Sequence, residues 1–139
     1  MTQEDKQLLL KDLCARLPYG VKVQSTFYNC DGTIWKYENE ILTAGLLGYP
    51  ITRYKPYLFP LSSMTEEQKR ELIKEAGYEK RDEDCGRHQE TYYYDLVGHE
   101  NVLYPNSDAI DWLNAHHFDY RRLIEKSLAL DATNLRIYE

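Results

Sequence analysis

The sequence lacks long apolar runs. No stretch approaches the roughly twenty consecutive apolar residues that cross a bilayer as a helix, and this excludes a transmembrane helix. The first residues, Met1–Lys6, are polar and acidic, whereas a secretory signal peptide begins basic and continues apolar. We therefore expect a cytoplasmic protein with no membrane partner.

Basic residues and cysteines are also few. The chain has 17 Lys and Arg against 23 Asp and Glu, which gives a formal net charge of -6. This balance disfavours nucleic acid as a partner, because phosphate contacts need clustered Lys and Arg. An odd number of cysteines, with no export signal, predicts reduced thiols and no disulfide framework.

Complete catalytic and metal-binding motifs are missing. There is no phosphate-binding loop and no strong catalytic motif. The sequence therefore disfavours an enzymatic function and predicts no cofactor. Cys85 and His88 have the Cys-x2-His spacing of half a zinc site, and His99, His116 or His117 could add ligands. Adjacent histidines on a helix point about 100° apart and rarely share an ion. We predict no metal, with Cys85, His88 and His99 as the candidates if one binds.

What the chain has in excess is tyrosine, with 13 copies. Tyrosine joins a large apolar face to a polar hydroxyl, so it suits half-buried strands and interfaces. The segment Tyr49–Ser63 interleaves aromatics with three prolines, which predicts an irregular, extended segment packed on the domain. Exposed aromatics there would form a partner surface. The predicted binding surface is Tyr49, Tyr54, Tyr57, Phe59 and Trp112.

Helix signals occur in three places. Thr2 caps a first helix that Pro18 stops. Thr65 and Gln68 form a capping box for a second, which ends at Gly77. A third helix, capped by Asn106 or Ser107, carries Trp112. The apolar stripe predicted for the first helix is Leu10, Leu13, Cys14 and Leu17, with Cys14 as a core residue.

Strand signals lie between these helices. Val21–Tyr28 alternates with a period of two, and Asp31-Gly32 predicts a type I′ hairpin turn into a strand over Thr33–Tyr37. A turn over residues 38–40 then leads to a possible third strand over Ile41–Ala44. Thr91–Val97 predicts a further strand. We predict an α+β fold, one domain over residues 1–139, in which a mainly antiparallel sheet packs against helices.

The densest functional signal is the run Asp108–Arg122. Histidine titrates near neutral pH, so a pocket built around Asp111–Arg121 could perform acid–base chemistry. Its candidate catalytic residues are His116, His117, Asp119 and Arg121. The simpler interpretation is architectural, with the helix ending near His117 and Phe118 extending the core. In that interpretation, Asp119 caps a short helix over residues 120–128.

Two motifs carry a resemblance. KPYLFPLSSMT (residues 55–65) and DWLNAHHFDYR (residues 111–121) resemble a group of small uncharacterised proteins from genomes, prophages and mobile elements of gut anaerobic bacteria. That group often has Arg at the position of Phe59 and Gly at the position of Arg122. The departure at Phe59 disfavours a charged site, and the departure at Arg122 disfavours a tight turn after Tyr120. The resemblance implies a bacterial cytoplasm and a phage-related or mobile-element context, with no known activity.

Two functions follow from the sequence. The leading hypothesis is a non-enzymatic accessory or protein-interaction module that binds another protein, or itself, through its tyrosine-rich surface. The alternative is a small enzyme or ligand-binding domain with a His/Asp pocket around Asp111–Arg121.

Overall fold

The computed structural model of the protein describes residues 1–76, 93, 96–97 and 106–139. They belong to two compact units. The sheet unit comprises Met1–Pro60 and His117–Glu139, and the helical unit comprises Leu61–His116. The α+β class is confirmed. Whether the two units make one domain over residues 1–139 stays a prediction. The helices and strands are α1 (Gln3–Arg16), β1 (Lys22–Tyr28), β2 (Ile34–Ile41), β3 (Tyr54–Pro60), α2 (Glu66–Glu75), α3 (Ser107–Ala115), β4 (Phe118–Asp119) and β5 (Leu130–Asp131).

Helix α1 begins where the sequence predicts. Thr2 and Asp5 form a reciprocal capping box, and the helix ends at Arg16 before a short 3-10 turn. The predicted apolar stripe is wrong in its rotation, because Leu10 and Cys14 are exposed. The buried face carries Leu9, Asp12, Leu13 and Arg16. Two of these four residues are charged, so apolar periodicity alone could not identify the face.

Strands β1 and β2 form an antiparallel hairpin. The turn differs from the predicted type I′, because Gly32 has a positive φ of 88° and Asp31 does not. Gly32 N–H donates to Asn29 O, and Asn29 N–H donates to Thr33 O, as in hairpins with a single left-handed residue after the turn.

The predicted turn over residues 38–40 and the separate strand over Ile41–Ala44 are wrong. Strand β2 runs on to Ile41, and the register with β1 shifts between Val23 and Ser25. Asn39, with a φ of 57°, takes up the extra residue on β2 as a β-bulge. The polar Glu-Asn-Glu stretch therefore marks a bulge and not a turn.

Strand β3 corrects the prediction of an irregular Tyr49–Ser63 segment. Tyr54–Pro60 is a strand that pairs antiparallel with β1 and parallel with the short strands β4 and β5. Pro56 stands opposite Val23 of β1, and the parallel pairings on the other edge start one residue later, at Tyr57. A proline fits at this position because no described strand lies beside it on that second edge. The sheet is therefore mixed, in the order β2-β1-β3-β4.

The core of the sheet unit lies between α1, β1, β3 and the C-terminal segment. It comprises Leu9, Leu13, Val21, Val23, Leu42, Tyr54, Leu58, Leu123, Leu128 and Ala129. The helix predicted over residues 120–128 is wrong, since this stretch forms turns. Arg122 has a φ of 60°, so the chain makes the tight turn that an arginine at this position argued against.

The helical unit contains α2 and α3, which pack on each other. The capping box of Thr65 and Gln68 is confirmed, and Asn106 caps α3 by accepting from Ala109 N–H. The strand predicted over Thr91–Val97 is wrong at the three described positions, Tyr93, Leu96 and Val97, which are helical. The remaining positions of that stretch, and Gly77, lie outside the described residues.

In the part of the chain that the structure describes, no helix is both long enough and apolar enough to cross a membrane.

The hairpin turn yields a stability prediction. At Gly32 an added Cβ would meet no atom within 4 Å, so Gly32→Ala tests the backbone conformation alone. A left-handed φ is costly for residues with a Cβ, and we expect Gly32→Ala to lower the free energy of unfolding by about 1 kcal/mol. Gly48→Ala is the matched control, since that glycine also has open space but no positive φ. Equal denaturant midpoints for the two variants would contradict a left-handed conformation at Gly32.

Candidate functional site

The predicted binding surface is largely buried. Tyr54 and Tyr57 lie inside on β3, and Trp112 lies inside on α3, so these three residues offer no exposed surface. Burial raises the pKa of the Tyr54 and Tyr57 hydroxyls above the usual value. Phe59 is half-buried and contacts the rings of Phe118 and Tyr138, whose centroids lie 6.1 and 5.8 Å away.

Of the five residues, Tyr49 alone is an exposed large hydrophobic side chain. The burial of Tyr54 and Tyr57 follows from the central position of β3. A central strand buries aromatic side chains that would be accessible on a peripheral loop.

The two histidines of the predicted acid–base cluster belong to different units. In the helical unit, the ring of His116 stacks on Trp112 with centroids 4.0 Å apart. Its Nδ1 lies 2.9 Å from Trp112 O, a carbonyl that can only accept, so Nδ1 carries the proton. This contact holds the His116 ring against the last turn of α3.

In the sheet unit, His117 has a φ of 63° and its ring stacks on Tyr138, with centroids 3.6 Å apart and planes within 9°. The Tyr138 hydroxyl donates to Tyr57 O at 2.7 Å and accepts from Lys22 N at 2.9 Å. Burial raises the pKa of Tyr138 to about 12. These bonds hold the C-terminal tail onto the sheet.

Asp119 does not cap a helix as predicted, because no helix follows it, but its side chain holds the turns after β4. Its two carboxylate oxygens accept from Leu123 N and Ile124 N, both at 2.9 Å. Burial raises the pKa of Asp119 despite these two hydrogen bonds, which act in the opposite direction. Phe118 beside it is buried, as predicted.

A buried ionic network, which the sequence analysis missed, surrounds these residues. Asp12 is fully buried and accepts from Arg16 Nε at 2.8 Å and from Arg121 Nη1 at 2.7 Å. Arg16, also fully buried, donates through Nη2 to Phe118 O at 2.6 Å. Both guanidinium groups lie over the ring of Tyr120, at 5.2 and 4.6 Å from its centroid.

The network uses most of the hydrogen-bonding capacity of its members. Among the described residues, Arg16 Nη1 is a buried donor that lacks a partner. Such a donor carries a desolvation cost of about 1–3 kcal/mol, so this part of the network contributes more to the geometry of the fold than to its stability. The i, i+4 spacing of Asp12 and Arg16 was the available signal, although the same spacing is common on exposed helix faces.

Among the described residues, the exposed aromatic side chains lie elsewhere, at the free end of the β1–β2 hairpin and beside it. We call Phe27, Trp35, Tyr37 and Tyr49 the aromatic shelf. Trp35 stands opposite Phe27, and Tyr37 stands opposite Ser25. Directly opposed residues project from the same face of a sheet. The shelf therefore lies on the same face as the buried Ser25 side chain, at a part of the sheet that the core does not cover.

Ring contacts order the shelf without covering it. Phe27 contacts Tyr37 and Tyr49 edge-to-face, with centroids 5.6 and 6.2 Å apart, and Trp35 contacts Tyr37 at 6.4 Å. The Arg53 guanidinium carbon lies 5.0 Å from the Phe27 ring centroid and 5.4 Å from that of Tyr49. Only Tyr49 was in the predicted binding set. The aromatic alternation Trp-x-Tyr in the return strand was the signal that could have identified the rest.

The described residues contain no cluster of potential metal ligands. In residues 1–76, 93, 96–97 and 106–139, no three His, Cys, Asp or Glu side chains come together in a way that could hold an ion. The candidates Cys85, His88 and His99 lie outside the described residues. Cys14 and Cys30 are free thiols, and Cys85 also falls outside this description.

Comparison with known proteins adds no identity: no family model, no curated protein and no solved structure matches the chain.

The ionic network predicts a large cost for removing its central acid. Asp12→Ala would leave Arg16 buried without its charge partner, and we expect a loss of about 3–5 kcal/mol in the free energy of unfolding. Asp111→Ala, at an exposed position of α3, should change it by less than about 0.5 kcal/mol. Urea denaturation of both variants measures the difference. Similar midpoints would show that the network does not hold the sheet unit together.

Asp119 predicts a pH dependence. Folding raises the pKa of this group above 3.8, so in the window above 3.8 the folded state binds more protons than the unfolded state. The contribution of Asp119 to the free energy of unfolding therefore falls as pH rises through that window. Asp119→Asn removes this titration. The parent chain should thus gain stability relative to the variant when pH is lowered from about 7 to about 4. If the difference in the free energy of unfolding between parent and variant stays constant, or changes in the opposite direction, the raised pKa of Asp119 is contradicted.

Proposed function

We propose that the chain is a protein-interaction module that binds its partner through the aromatic shelf of the β1–β2 hairpin. One observation carries the proposal. Trp35 and Tyr37 are 56% and 46% exposed, although they lie on the face of the sheet that is buried elsewhere, and Tyr49, whose ring contacts Phe27 of that face, is 51% exposed.

The chemistry of the shelf suits protein recognition. Tyrosine and tryptophan are enriched at the centres of protein interfaces, where each buries a large area at the cost of few rotatable bonds. The edge-to-face contacts and the guanidinium group of Arg53 limit the rotation of the rings before a partner arrives. Such preorganisation reduces the entropy lost on binding.

The shelf also adjoins an available strand edge. In the described part of the chain, β2 is the terminal strand of the sheet, and its side chains are exposed except for that of Glu40, which is half-buried. An edge strand offers unpaired N–H and C=O groups that can accept an added strand. The shelf and the edge together provide apolar contact and main-chain hydrogen bonds on one surface.

The alternative enzymatic function has less support. Asp119, Arg121 and His116 each make hydrogen bonds that hold local structure. A catalytic group must instead reach a substrate proton. The proposed module is a non-enzymatic accessory protein of a bacterial cytoplasm, in a phage-related or mobile-element context, and the resemblance of residues 55–65 and 111–121 to the bacterial group is the support for this part of the proposal.

Photo-crosslinking tests the proposal. A photoreactive phenylalanine analogue replaces Trp35, and in a second version it replaces Glu67, an exposed residue at the start of α2. Both versions are made in cells that naturally produce the chain. We expect discrete protein adducts at position 35 and none at position 67, because only position 35 lies on the shelf.

A second change gives the matched control. Tyr37→Ser, added to the version that carries the analogue at position 35, removes a neighbouring ring and should abolish the adducts. Since Tyr37 is exposed, the same change should alter the free energy of unfolding by less than about 1 kcal/mol. Adducts that are absent, equal at the two positions, or unaffected by Tyr37→Ser would contradict the proposed function.

A further inference from the structure

We infer that the partner seated on the edge of β2 is a second copy of this chain, paired antiparallel with Tyr37 opposite Tyr37 of the second copy. The inference rests on the proposed function and names the partner. Three features of β2 support it: the direction of its free main-chain groups, the order of its charges and the position of its bulge.

The free main-chain groups follow from the hairpin register. Asn29 N–H donates to Thr33 O at 2.8 Å, so this pair is a hydrogen-bonded position. Hydrogen-bonded and non-hydrogen-bonded pairs alternate in an antiparallel ladder. The register then directs the main-chain groups of Trp35 and Tyr37 towards β1. The main-chain groups of Ile34, Lys36 and Glu38 are directed towards the free edge.

A two-fold pairing centred on Tyr37 uses these outward groups. It places Lys36 opposite Glu38 of the second copy, and Glu38 opposite Lys36. Both residues direct their N–H and C=O groups outward, so each of these pairs is a hydrogen-bonded pair. Tyr37 meets its symmetry mate at a non-hydrogen-bonded position, where the Cα atoms approach to about 4.5 Å.

The charges select this register over its neighbours. A two-fold centre at Lys36 or at Glu38 would place like charges directly opposite each other. With the centre at Tyr37, both charged pairs are of opposite sign. The surface is thus complementary to itself, which a two-fold symmetric contact requires.

The aromatic shelf and the bulge complete the fit. Tyr37 and Trp35 lie on one face, so the pairing places Trp35 diagonal to Tyr37 of the second copy, within reach of its ring. The bulge at Asn39 ends regular pairing beyond Glu38 and keeps the contact short. An interface this small falls below the roughly 1,200 Å² of standard stable complexes, so the dimer should be weak and dependent on concentration.

Cysteine substitution tests the register. In a background with Cys14→Ser, Cys30→Ser and Cys85→Ser, Tyr37→Cys places two thiols at the symmetry axis, within the Cα separation that a disulfide spans. With oxidised glutathione we expect a disulfide-linked dimer on a non-reducing gel. Tyr28→Cys is the matched control, because Tyr28 is 70% exposed, more than Tyr37, and lies on the inner strand β1. The Tyr37→Cys dimer should exceed the Tyr28→Cys dimer several-fold at equal protein concentration.

A charge exchange in the Tyr37→Cys background tests the pairing of Lys36 with Glu38. Lys36→Glu alone places like charges opposite each other twice and should lower the rate of dimer formation by about tenfold. Lys36→Glu combined with Glu38→Lys restores opposite charges and should restore the rate. Both side chains are exposed in the single chain, and circular dichroism checks that each variant is folded.

The outcomes separate this inference from the proposed function. Equal crosslinking at positions 37 and 28, or a rate that the double exchange does not restore, overturns the self-pairing. In that case, photo-adducts at position 35 that contain a different protein leave the proposed function standing. If position 35 gives no adduct at all while the Tyr37→Cys variant also fails to crosslink, both are overturned.

Discussion

The carboxylate of Asp12 is the constraint on which the arrangement of the sheet unit depends. It binds Arg16 one helical turn away and Arg121, which lies 109 positions later in the chain. Arg16 in turn donates to Phe118 O, so two guanidinium groups connect the first helix to the strand β4 that returns beside β3. An apolar contact could bury as much surface, but it would not define one orientation. A buried carboxylate must be satisfied, and the chain can satisfy Asp12 in few ways.

The central position of β3 decides which aromatic residues are available to a partner. The strand has β1 on one edge and β4 and β5 on the other. Its tyrosines therefore enter the core. Tyr57 also binds the tail through the bond from the Tyr138 hydroxyl to its carbonyl. Within the sheet unit, the tyrosines thus fall into two groups, one in its core and one on or beside the hairpin.

The hairpin is longer than the core that supports it. Strand β1 is buried at Val23 and Ser25 and becomes half-buried at Phe27, and β2 is exposed along nearly its whole length. The side chains that would face a core in a larger sheet face solvent here, and they are aromatic. Arg53 and the ring contacts keep them in place. This combination of an ordered aromatic surface and an unpaired strand edge makes the hairpin the best candidate for a functional surface in the described part of the chain.

Local chemistry determined much of the secondary structure. Thr2 with Asp5, and Thr65 with Gln68, are capping boxes whose partners lie three residues apart, and both form as predicted. Asp119 likewise accepts from main-chain N–H groups within five residues, although the short helix that it was predicted to cap is absent. Gly32 marks the hairpin turn for a similar reason, although the turn type differs from the predicted one. The α+β class follows from these signals together.

Tertiary structure decided the rest, because the deciding partners lie far apart in sequence. Which face of α1 is buried depends on Arg121 and Phe118, and the strand character of Tyr54–Pro60 depends on β1, β4 and β5. A run with two prolines reads locally as irregular, and only its neighbours make it a strand. Tertiary structure also decided where the aromatic shelf lies. Aromatic residues in a strand can be buried or exposed with equal local propensity. The extent of the core is a property of the whole sheet unit, and it leaves Trp35 and Tyr37 in solvent while it buries Tyr54 and Tyr57.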